Sequence, residues 1–121
     1  MNIEVGEYVR TKDGRIGKLD EIYHAGRGTR HYGEDLDKNY YSIKYSDNNE
    51  FGRYSDEDIV NHSKSIISLI ETGDYVNGQR VIKVSSVSGW IDTKEDIIHK
   101  DNIKSIVTKQ QFSNMEYKIN E

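Results

Sequence analysis

The sequence predicts a mainly β fold. A small five-stranded amino-terminal barrel spans residues 1–63, a short helical connector 64–71, and a smaller β-rich carboxy-terminal module 72–121. Isoleucine and valine far outnumber leucine and alanine, which are confined to Leu19, Leu36, Leu69 and Ala25, and β-branched side chains favour strands over long helices. Nine tyrosines sit in a polar chain that is only 34% hydrophobic, whereas a disordered chain is poor in aromatic and β-branched residues. Asp13-Gly14 and Asn77-Gly78 are two-residue hairpin signals, because both central positions of a type I′ turn need positive φ.

The elements follow in order. Val5 to Leu19 reads as a hairpin around Asp13-Gly14. Tyr40 to Tyr45 alternates and predicts a strand, Asp47-Asn48-Asn49 a turn, and Glu50 to Tyr54 the returning strand. Ser55 caps one helical turn over Asp56-Glu57-Asp58, and Val60 to Ser63 closes the barrel. Ile66, Ile67, Leu69 and Ile70 fit a two-turn amphipathic helix ended by Gly73, or a buried strand. Val81–Val87, Trp90–Asp92 and Ile103–Val107 are the next strands. Thr108 to Phe112 predicts a capped helical turn, and Glu116 to Ile119 a terminal strand. The two halves open alike: Gly6-Glu7-Tyr8-Val9 and Gly73-Asp74-Tyr75-Val76. Either a duplication or two hairpins built under the same rules accounts for that likeness.

Composition excludes several classes. With no cysteine there is neither a disulfide framework nor a thiolate metal site. No run approaches the ~20 apolar residues of a membrane span, and the first residues carry no signal-peptide core, so no membrane partner and a cytoplasmic location are expected. His24 and His31 lack metal-ligand spacing, His62 and His99 stand alone, and neither a metal nor a cofactor is expected. Gly26-x-Gly28 lacks the Gly-Lys-Ser/Thr ending of a phosphate loop. The acidic groups Asp56, Glu57, Asp58 and Asp92, Glu95, Asp96 fit turns, and no nucleophile elbow is present, so the chain is expected not to be an enzyme.

A resemblance rests on particular stretches. Gly6-Glu7-Tyr8-Val9-Arg10-Thr11-Lys12-Asp13-Gly14-Arg15-Ile16-Gly17-Lys18 resembles the opening of a KOW-type or Tudor-like barrel, of Src-homology architecture. Tyr54 to Ile70, then Gly73-Asp74-Tyr75-Val76-Asn77-Gly78, and Ile103 to Phe112 are similar to small phage and mobile-element proteins of low-GC Gram-positive bacteria. The resemblance implies a prophage-type protein of two small β modules. It supplies no catalytic residue.

The segment between the second and third strands, 24–38, is longer than the ~4–6 residues of a median connection. Its first part is basic and aromatic, its second part acidic. Tyr23, Arg27, Arg30, His31 and Tyr32 are therefore the candidate contact residues, since interfaces favour tyrosine and arginine. A solvated loop with neutralising ends is the plainer alternative. Trp90 joins the candidates as an exposed anchor, against the commoner fate of a lone tryptophan in a core.

Direct nucleic-acid binding is weakened by charge. The net charge is −4, and Arg10, Lys12, Arg15, Lys18, Arg27 and Arg30 are nearly balanced by Glu4, Glu7, Asp13, Asp20 and Glu21. Strand alternation would also split these cations between two faces. The first expectation is thus a non-catalytic protein that occupies a host protein's surface, such as a defence or nucleic-acid-processing enzyme, in an anti-CRISPR-like manner. The alternatives are a KOW-like module binding RNA or DNA, and a small-ligand (nucleotide) binding protein.

Overall fold

A computed structural model describes residues 2–28, 33–45 and 50–115, and within it the chain forms two antiparallel five-stranded sheets. The first contains β1 (Tyr8–Thr11), β2 (Ile16–His24), β3 (Asn39–Tyr45), β4 (Glu50–Ser55) and β5 (Ile59–Ser63), in the order β4-β3-β2-β1-β5. The second contains β6 (Tyr75–Val76), β7 (Gln79–Ser85), β8 (Trp90–Thr93), β9 (Ile97–His99) and β10 (Ile106–Val107), in the order β10-β6-β7-β8-β9. One short helix, α1 (Lys109–Met115), follows.

The two sheets share one topology. In each, four strands meander, a 3-10 turn follows (Asp56–Asp58 or Lys100–Asn102), and the fifth strand returns to pair with the first. The shared Gly-acid-Tyr-Val segment shows why the halves start alike. Gly6 and Gly73 both take φ of 96°, a conformation that favours glycine. The Gly6 N–H donates to the Leu19 carbonyl (2.9 Å) and the Gly73 N–H to that of Val81 (3.0 Å). The following acid then folds back: the Glu7 carboxylate accepts the Glu4 N–H at 2.5 Å, and the Asp74 carboxylate the Glu71 N–H at 2.7 Å. The repeat therefore extends over the topology of both halves, beyond the short stretch visible in the sequence.

Each sheet has its own core. Ile3, Val9, Leu19, Tyr41, Ile43 and Tyr45 are buried under the first. Val76, Val81, Ile91 and Ile98 are buried under the second, together with Ile67 and Ile70 of the connector.

Several expectations change. Asn77 and Gly78 both have positive φ, as a type I′ turn requires, but in the first hairpin only Gly14 does. There the Thr11 N–H donates to Arg15 and the Gly14 N–H to Thr11, so Lys12-Asp13-Gly14 forms a three-residue loop. The connector forms a single 3-10 turn, Ile66–Leu69: Ile67 and Leu69 are both buried, and positions two apart do not share one face of an α-helix. β9 was not expected, and the strand expected over Ile103–Val107 shrinks to Ile106–Val107. Thr108 does cap α1: its hydroxyl accepts the Gln111 N–H while the Gln111 side chain accepts the Thr108 N–H (3.2 and 3.0 Å). The first sheet does not close into a barrel, since among the described residues its edge strands β4 and β5 do not pair. The expected turn at 47–49 and terminal strand at 116–119 lie outside the described residues.

A buried ionic joint ties the halves together. Arg10 is 1% exposed and Asp74 fully buried. The guanidinium donates to both Asp74 oxygens (2.6 and 3.0 Å), the Leu69 carbonyl (2.9 Å) and the Gln110 side chain of α1 (2.8 Å). The Thr108 hydroxyl also donates to the Gly14 carbonyl. Burial alone would push the Asp74 carboxyl up, but donation from Arg10 and from the Glu71 and Lys109 N–H groups outweighs it and holds it below its ordinary value. Glu7 is also lowered, first by its hydrogen bond with His62 (2.9 Å) and then by the Glu4 N–H.

A folded-state pKa below the unfolded one means stability that is complete above the unfolded value and lost as pH falls through the folded value. Urea midpoints are therefore expected to hold steady from about pH 7 to 5 and to drop below about pH 4. Glu7→Gln should flatten that drop; an unchanged slope would show that Glu7 is not one of its sources.

Candidate interaction face

Strand alternation sends Tyr41, Ile43 and Tyr45 of β3 inward and Tyr40, Ser42 and Lys44 outward. The register then aligns residues from four strands across the outer face. Tyr8 lies opposite Lys18, Lys18 opposite Lys44, and Lys44 opposite Phe51. This Tyr-Lys-Lys-Phe row is capped by an aromatic ring at each end. The Lys18 ammonium lies 5.6 Å from the Tyr8 ring centre, and that of Lys44 5.9 Å from Phe51. Both lysines are exposed, and Phe51 is 51% exposed.

Like charges directly opposite each other destabilise a sheet. Among the described residues, no carboxylate pairs with either lysine. The two cations therefore form an uncompensated positive site between two π faces, suited to an anionic group carried on a planar one.

Two further rows extend the face. Glu21, Ser42 and Arg53 lie side by side, then Tyr23, Tyr40 and Ser55. A β-bulge between Leu19 and Glu21 keeps these rows aligned with the first. A shallow depression of about 230 Å³ is lined by Glu21, Tyr23, Ser42, Phe51, Gly52 and Arg53.

The long connection is moored to this face. The Ala25 N–H donates to the Lys38 carbonyl and the Asp37 N–H to Ala25 (2.8 and 2.7 Å), which pins the stem. Glu34 folds against this face, 6% exposed, where it pairs with Arg53 at 3.2 Å and accepts the Tyr23 hydroxyl. Burial first, and the Glu34 carboxylate second, push the Tyr23 hydroxyl up to about 12.

The candidates from the sequence therefore separate. Tyr23 is half-buried and stacks on Tyr40 with ring centres 6.0 Å apart, which makes it the mooring of the loop more than its tip. Arg27 is exposed in a turn. Arg30, His31 and Tyr32 lie outside the described residues. Trp90 is on the second sheet, 44% exposed, with its ring edge-on to His99 at 4.7 Å. The described part of the structure does not gather these residues into one site.

Lys18, Lys44, Phe51 and Arg53 as one face went unseen in the sequence. The turn expected at 47–49 would have set Lys44 opposite Gly52, one residue from its observed partner Phe51. The partnership of Lys18 with Lys44 was hidden by the fourteen residues between β2 and β3 and by the bulge.

The acidic turns have structural partners. Asp58 accepts the Ser55 N–H and hydroxyl (3.1 and 3.0 Å), and Asp56 accepts the Tyr41 hydroxyl. His62 sits on Glu7, and His99 lies 3.3 Å from Asp101. Among the described residues, no three His, Asp or Glu side chains group around one point. No described helix is long and apolar enough to cross a membrane.

Comparison with protein-family models, with curated proteins and with solved structures found no match. The geometry of the face alone carries the functional reading.

Proposed function

We propose that the chain is a non-catalytic binding module whose outer β1–β4 face takes a short stretch of single-stranded nucleic acid. The observation that carries this reading is the Tyr8-Lys18-Lys44-Phe51 row. Two rings offer stacking positions worth about 1–3 kcal/mol per base, and the two lysines between them neutralise phosphate. Every base has a π face, so the row implies tolerance of sequence. A sheet face admits a flexible single strand more readily than a stiff duplex. The net charge of −4 limits the footprint to the few phosphates this row can reach. The first half is read as an open relative of the Src-homology, Tudor and KOW type, a reading supported by the β4-β3-β2-β1-β5 strand order with a 3-10 turn before the last strand.

Fluorescence anisotropy with labelled oligothymidylate and oligouridylate tests the proposal. Two phosphate contacts predict a slope of about −1.4 for log affinity against log salt. Replacing both Lys18 and Lys44 by alanine is expected to weaken binding at least tenfold at low salt and to bring that slope near zero. The reading fails if the wild-type chain retains no single strand at low salt, or if the double variant binds as well as wild type.

A second reading, occupation of a host protein in the manner of a phage-encoded defence inhibitor, is favoured by a different surface. Trp90 and Ile97, 44% and 61% exposed, occupy neighbouring rows on the outside of β8 and β9. An exposed tryptophan beside an exposed isoleucine is the composition of a protein hot spot. Loss of the single-strand signal, combined with a Gram-positive lysate protein retained by wild type but not by Trp90→Ala, would select this reading over the first.

A further inference from the structure

We propose that the cleft between the two sheets binds a small organic monoanion with an aliphatic body, of the short-chain monocarboxylate class. The cleft encloses about 340 Å³, within the range of small-molecule sites. Its apolar wall is built from both halves: Ile16 from β2, Ile66 from the connector, Ile103 just after the Lys100–Asn102 turn, and Ile106 from β10. All four are only half-buried; Ile103 and Ile106 pack on the second core with one side and leave the other to the cleft. An apolar wall of this size facing water gains by covering itself with an apolar ligand.

The rim supplies the charge. Arg15 stands on one side and Lys104 on the other, and among the described residues no Asp or Glu lines the cleft. Arg15 is held in place, stacked 3.5 Å above the Tyr45 ring and paired with Glu50 at 3.2 Å, which uses one arm of a fork that carries five N–H donors. The Lys104 ammonium has no carboxylate partner among the described residues. With Arg15 partly neutralised by Glu50, Lys104 and the remaining Arg15 donors over four isoleucines select a ligand with one negative end and one apolar end. A wholly polar ligand would leave the isoleucines uncovered, a second negative charge would meet the Glu50 carboxylate, and a cation would meet Lys104. Because Arg15 and Lys104 belong to different halves, an occupant also braces the joint, and binding to the folded state alone raises its stability.

The site is independent of the outer face that carries the nucleic-acid reading. The test is a titration of the full chain, with isoleucine methyl groups isotopically labelled, using octanoate, octylammonium and octanol. Octanoate is expected to shift the methyl signals of Ile16, Ile66, Ile103 and Ile106, saturably, and to raise the unfolding temperature. Octylammonium should leave them in place, and octanol should bind more weakly than octanoate. Lys104→Glu, at an exposed position with little bearing on folding, should weaken octanoate about tenfold, and Lys104→Arg should retain it. Replacing Lys18 and Lys44 by alanine should not alter octanoate binding. The proposal is overturned if octanoate leaves those four methyls unmoved, if octylammonium moves them equally, or if Lys104→Glu binds octanoate as wild type does.

Discussion

Asp74→Ala is expected to cost about 3–5 kcal/mol of folding stability, read as a fall in the urea midpoint at neutral pH. The Asp74 carboxylate is fully buried and satisfies four donors: two from Arg10 and the backbone N–H groups of Glu71 and Lys109. Removing it leaves the Arg10 guanidinium, 1% exposed, with only the partly exposed Glu71 carboxylate, 3.5 Å from its Nε, as a counter-charge. A buried charge that loses its main partner costs more than the original pair contributed, which is why breaking such a pair is severe. With typical domain stabilities of about 5–15 kcal/mol, the variant keeps only part of its margin.

Arg10→Met should be milder than Asp74→Ala, because the remaining carboxylate can accept a proton and still receives two backbone N–H groups. The double variant Arg10→Met, Asp74→Leu should lose less than the sum of the two single changes, since neither charge is then left alone. It should not return to wild type. The Glu71 and Lys109 N–H groups stay unpaired, at about 1–3 kcal/mol for each buried group left unsatisfied. Additive losses in the double variant would sink the account of Arg10 and Asp74 as a coupled pair.

Arg10 also marks where reading the sequence stopped. Alternation along Val9-Arg10-Thr11 assigns the arginine to a solvent face, yet all three residues are buried. One side of β1 covers its own core through Val9. The other side meets a partner in the second half, sixty-four positions away, and no local pattern reports that. Short-range chemistry was easier to see. The Asn77-Gly78 turn, the cap at Ser55 and the cap at Thr108 each depend on residues within three positions of one another. The Gly-acid-Tyr-Val likeness pointed to a repeat because the same left-handed glycine and back-folded acid open both sheets. The outer face was lost for the same reason as Arg10. Its cations come from different strands, and only the register shows that Lys18 and Lys44 meet.

Ile43→Ala is expected to cost about 2–5 kcal/mol, at the upper end for a side chain with no exposed surface. Ile43 lies in the centre of β3 between Tyr41 and Tyr45, and its loss opens a cavity in the first core. The neighbouring Gly17 makes that cavity informative. A Cβ at position 17 would lie 2.6 Å from the Ile43 Cγ2, 2.8 Å from the Lys44 carbonyl oxygen and 2.9 Å from the Tyr45 ring. Gly17→Ala alone is therefore an overpacking change, expected to cost about 1–3 kcal/mol. Combining the two removes the nearest clash and puts a methyl group at the edge of the new cavity. The double variant should then be less destabilised than the sum by about 1 kcal/mol. Relief stays partial, because the Lys44 carbonyl belongs to the β3 backbone and cannot withdraw without disturbing its pairing with β2. Urea denaturation of the four proteins in this cycle measures the coupling, and strictly additive losses would mean that Gly17 is glycine for some reason other than the space Ile43 occupies.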